Sequence, residues 1–141
     1  MSVRRRRRRP FGITLLALGF LGVGILGWLR FGQALAQWNL LVELDAWPGP
    51  LYLAVGGAVW GSLGILVALA LAAGSRSGPL LAQGAVLFFL LTYWVDRLIS
   101  VWIGNPFANW PILLVLSLAA AGLTFWLVTR PANRDFFLGH P

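Results

Sequence analysis

LLAQGAVLFFLLTYWVDRLISVWI, residues Leu80 to Ile103, is long enough to cross a bilayer as a helix, yet it carries an acid and a base side by side at Asp96 and Arg97. Its thirteen Leu, Ile, Val and Phe residues favour insertion by roughly 4 to 8 kcal/mol together, while Asp plus Arg at a helix centre cost roughly 5 to 7 kcal/mol. The two sums nearly cancel. The run is therefore stable in lipid only where neighbouring helices cover its charges, which points to a packed bundle and not to a lone anchor. Within it Thr92, Asp96 and Ser100 recur every four residues and share one helix face, with Tyr93 and Arg97 on a second line beside them. That polar stripe is the candidate site.

The rest of the chain supplies neighbours. Phe11 to Leu29 is free of charge and rich in glycine, and Gly19 with Gly22, or Gly24 with Gly27, offers a small face to another helix. A basic start, an apolar run and Ala34-Leu35-Ala36 have the outline of a cleavable secretory signal. However, the apolar run exceeds the roughly 7 to 15 residues of a signal core, and Arg30 and Phe31 interrupt the approach to the alanines, so an uncleaved span is expected. Arg30 to Pro50 does not sort its apolar residues onto one face; it reads as a helical extension followed by a turn at Trp47-Pro48-Gly49-Pro50. In Leu51 to Ala73 the residues Gly57, Gly61, Gly64 and Ala68 fall at steps of four, three and four, a seam for close helix contact, with Trp60 beside it. After the turn Gly74 to Pro79 comes the third run, and Trp110-Pro111 opens a fourth that lasts to Thr129. No internal repeat emerges. The expected fold is an all-α polytopic membrane protein, a four-helix up-down bundle over 11–130 with spans near 11–29, 51–73, 80–103 and 110–129, a basic arm 1–10 and a tail 131–141.

Composition agrees with that class. Of 141 residues 59% are hydrophobic and 11% charged, with a mean hydropathy of +0.80, where a soluble domain averages about 25% charged. Cysteine is absent, which removes disulfides, thiolate nucleophiles and thiolate metal ligands. All eleven basic residues are arginine, and Arg4, Arg5, Arg6, Arg7, Arg8 and Arg9 are consecutive, so the net charge of +7 belongs mostly to one arm. A charge confined to a tail and not interleaved with aromatics argues against nucleic acid. It suits an anionic lipid surface, where each arginine adds about 1 kcal/mol of attraction. Arg4 to Arg9, Arg76, Arg130 and Arg134 fall on one side of a four-span topology and Arg30 on the other, which by the positive-inside rule makes both termini cytoplasmic, in a bacterial inner membrane. Asp96 then lies roughly 12 Å below the outer end of its helix, level with Ser117 in the fourth span and with Val59 and Trp60 in the second.

The chemistry open to such an interior is narrow. Haem, chlorophyll or a catalytic metal wants histidine, cysteine or several carboxylates, and the spans offer one aspartate, so neither metal nor cofactor is expected. An intramembrane protease needs a histidine partner or a second aspartate. The chain's one histidine, His140, sits in the polar tail. Three roles suit Asp96 and Arg97: an ion pair or separate interhelical hydrogen bonds that fix helix rotation, a proton or solute path lined by Asp96 with Thr92, Tyr93 and Ser100, or an outward Arg97 that meets a partner subunit or anionic lipid.

Arg9-Pro10-Phe11-Gly12, Val59-Trp60-Gly61, Tyr93-Trp94-Val95-Asp96-Arg97 and Asn109-Trp110-Pro111 together resemble a group of small, uncharacterised four-span bacterial membrane proteins. The resemblance covers most of the chain and implies the fold, but brings no activity or site with it. The chain is also similar to small multidrug transporters in having four spans, although their first-helix glutamate has no counterpart in the uncharged first run here. The expected function is that of a non-catalytic accessory or assembly component of a larger membrane complex, in contact with other membrane subunits or with copies of itself. The alternative is a small oligomeric transporter or channel that uses Asp96.

Overall fold

The structure, a computed structural model, describes residues 10–99 and 109–138. Over these it is all-helical, with α1 Phe11–Ala36, α2 Trp38–Glu43, α3 Pro50–Ala72, α4 Gly78–Ile99, α5 Trp110–Thr129 and α6 Pro131–Leu138. The four long helices α1, α3, α4 and α5 have the length and apolarity to cross a bilayer, so the chain is a four-helix membrane bundle. Ser100, the arm Arg4 to Arg9 and His140 lie outside the described residues.

Nothing in Arg30 to Ala36 breaks a helix, and α1 runs on through it for 26 residues in all. At 1.5 Å per residue that is roughly 39 Å, longer than the hydrocarbon core of about 30 Å. α2 and a turn with Asp45 at φ 47° then bring the chain to Pro50. There the fixed proline φ suits the first position of α3.

α1 and α3 run antiparallel and make the most extensive contact in the molecule. The reason is the absence of side chains between them. A Cβ placed on Gly64 would lie 2.6 Å from the amide nitrogen of Gly24, one on Gly57 would lie 2.6 Å from that of Phe31, and one on Gly27 would overlap the backbone of Gly61. Ala68 continues the face into a core with Phe20, Val67 and Leu71. Gly19 and Gly22 have no atom within 4 Å of a Cβ position, so α1 uses its Gly24/Gly27 face for this contact.

α4 packs on α3 through Ala82, Ala85, Val86 and Phe89. α5 leans on α4 and meets α1 where Leu127 covers Gly12. The segment read as a tail is helical over Pro131–Leu138 and folds back under the bundle. Phe136 packs at Gly74, Phe137 is 4% exposed next to Gly78, and Asn133 Nδ2 donates to the Leu127 carbonyl at 2.6 Å, giving one of the last carbonyls of α5 a partner.

Candidate functional site

The polar site is assembled from three helices. Asp96 projects from α4 towards the far ends of α1 and α3, where Arg30 and Tyr52 stand. Arg30 Nη1 lies 3.6 Å from Asp96 Oδ2, and the Tyr52 hydroxyl donates to Asp96 Oδ1. One carboxylate is thus shared between a cation and a phenol from two other helices. Each oxygen has its own partner. In a bilayer this arrangement lowers the cost of all three groups, because each gains a polar partner next to apolar helices.

A pocket of about 200 Å³ opens beside the carboxylate, lined by Arg30, Tyr52, Val59, Trp60, Thr92 and Asp96 among others. Thr92 shares that face, but its hydroxyl donates back into its own helix, at 2.9 Å to the Phe88 carbonyl and 3.1 Å to that of Phe89. Its oxygen offers the pocket acceptor lone pairs only. Among the described residues no three acidic, histidine or cysteine side chains converge as a metal site would require.

The structure redistributes the residues singled out in the sequence. Val59 and Trp60 line the pocket next to Asp96, but the carboxylate meets α3 at Tyr52, seven residues nearer the start of that helix than Val59. Ser117 does not join them: its hydroxyl oxygen accepts from Trp94 Nε1 at 3.3 Å, and with Tyr93 it lines a second cavity between α1, α4 and α5. The ion pair of Asp96 runs to Arg30 on another helix, although Arg97 is its neighbour in sequence; Arg97 is half-buried on α4. Arg30 itself corrects an expectation. Counted as a cation of an outer loop, it belongs to α1, and the continuation of that helix past Leu29 holds it level with Asp96.

Two site residues, Arg30 and Tyr52, therefore escaped the reading of the sequence. A signal existed for the first, since Arg30 is the only charged residue between Phe11 and Val42 and directly follows an apolar run, where a span seeks an acid. Tyr52, two residues into α3, carried no such mark.

The second cavity, about 570 Å³, is lined chiefly by apolar side chains, and Trp60 also borders it. The Trp60 ring packs at 4.8 Å from that of Phe89, and Trp60 lines both spaces. No protein-family model, curated protein or solved structure matches the chain.

Proposed function

We propose that this chain is a non-catalytic component of a bacterial cytoplasmic membrane, with both termini cytoplasmic, serving as an accessory or assembly subunit of a larger membrane complex. The observation that carries the reading is the double engagement of Asp96. It is the one acid in the four spans, and both of its oxygens are taken up by Arg30 and Tyr52. A carboxylate so held ties α1, α3 and α4 into one unit and fixes their rotation. Such a unit meets partners through its helix faces, among them the exposed Ile112, Val115 and Leu118 on α5.

The pocket of about 200 Å³ next to Asp96 favours a second reading, a small oligomeric transporter or channel in which the aspartate exchanges a proton or small cation. The two are separated by Asp96→Asn. For an accessory subunit, purification in mild detergent recovers a reproducible larger partner, and Asp96→Asn lowers both detergent stability and that recovery. A wild-type chain that purifies without a partner and drives proton-coupled flux in proteoliposomes, with flux lost in a stably folded Asp96→Asn, overturns the accessory role.

A further inference from the structure

The cavity between α1, α4 and α5 lies wholly within the spanning helices and takes no part in the Asp96 site. We infer that it is a binding site for a hydrocarbon tail of a membrane lipid, entered sideways between α1 and α5.

Its shape selects the occupant. Along α5 the lining runs from Leu113 to Leu127, a rise of roughly 21 Å, or two thirds of a hydrocarbon core of about 30 Å. A volume of about 570 Å³ over that height describes a long groove that is open along one side. A groove of that length, apolar and open towards the bilayer, has the proportions of an extended alkyl chain.

Its chemistry agrees. The Thr124 hydroxyl is spent on the Ala120 carbonyl at 2.8 Å, and the Ser117 oxygen accepts from Trp94. Polar groups on the lining are thus few among apolar side chains, whereas water needs two to four polar partners to stay in a cavity. Phe20, Phe89 and Trp60 form the back wall. A void there would forfeit dispersion contacts along its whole lining, and the medium available to fill it is acyl chain.

Its entrance is also defined. Leu127 against Gly12 closes the slot at one end, and Trp94 to Ser117 ties α4 to α5, so the free edge is the α1–α5 seam, where the two helices have few contacts. Gly19 stands on that edge with no atom within 4 Å of its Cβ position. A larger side chain enters the slot there without displacing backbone.

The test uses the full chain in nanodiscs of phosphatidylethanolamine and phosphatidylglycerol doped with a phospholipid that carries a mid-chain diazirine, the crosslinks being mapped by peptide mass spectrometry. Labelling is expected to concentrate on Ala120 and the α1 edge over the outward-facing Val115 and Leu118. Gly19→Leu should reduce it about tenfold, the change that ~1.4 kcal/mol of lost binding produces. Gly22→Leu, at a glycine equally free of neighbours but outside the slot, should leave it unchanged. Ala120→Leu provides an independent filling of the slot should Gly19→Leu fail to fold. Equal labelling of Ala120 and Val115, or the same response to both glycine variants, would each overturn the inference.

Discussion

At the level of single residues, the arrangement around Asp96 is a trade between desolvation and pairing. Arg30 and Asp96 each lose stabilising surroundings on entering lipid, and each regains part of that through the other. Interhelical polar contacts in membranes contribute about 0.6 kcal/mol on average and up to roughly 1.7 kcal/mol. Tyr52→Phe, which removes one donor and leaves the ion pair, should therefore cost about 1 kcal/mol. Arg30→Met should cost more, because it strands the carboxylate. The double variant Arg30→Met with Asp96→Leu should recover part of that loss, so that a double-mutant cycle of unfolding in mixed micelles returns a favourable coupling. Additive losses would mean that the two side chains do not act on each other. The sequence announced Asp96, since an acid in an apolar run is visible without a fold, but it did not announce the partner. Arg30 is 66 positions away, on a stretch whose place inside or outside the membrane depended on how far a helix continued past Leu29.

At the level of helices, α1 and α3 hold together through backbone contact, which makes their glycines unequal. Gly27→Ala sets a methyl against the Gly61 backbone, and Gly61→Ala sets one against the Trp28 indole. Because peptide backbone cannot yield as a side-chain tip does, Gly27→Ala should lower stability by at least about 1–3 kcal/mol. Gly32→Ala, in the same helix with open space at its Cβ, should instead raise stability by up to about 1 kcal/mol through the better helix propensity of alanine. Thermal unfolding in one detergent compares the two directly, and equal effects would deny the seam its role. The steps of four, three and four from Gly57 to Ala68 made this face readable on α3. On α1 two glycine pairs competed, and only the three-dimensional pairing with Gly61 and Gly64 selects Gly24 and Gly27. The short α6 was not legible, because eight residues with Asn133, Arg134 and Asp135 among them are too few and too polar to stand out as an element; its anchors Phe136 and Phe137 find their sites at Gly74 and at Gly78, where α4 begins.

For the molecule as a whole, the antiparallel sequence of four spans sets the turn at Ser77 and the α1–α2 segment at Asn39 on opposite sides of the bundle. The chain has no native cysteine, so single-cysteine variants report without background. With cytoplasmic termini, Asn39→Cys in intact cells should react with a membrane-impermeant maleimide, and Ser77→Cys should react only after lysis. The reverse pattern would invert the proposed orientation while preserving the bundle, and labelling of both sites before lysis would dispute the span count. Inside that frame a pocket that holds charge and an oily groove share one lining residue, Trp60. Rotation of the Trp60 ring would change the local dielectric around Asp96 without touching any of its ligating atoms, which gives a neutral side chain leverage over the electrostatics of the bundle.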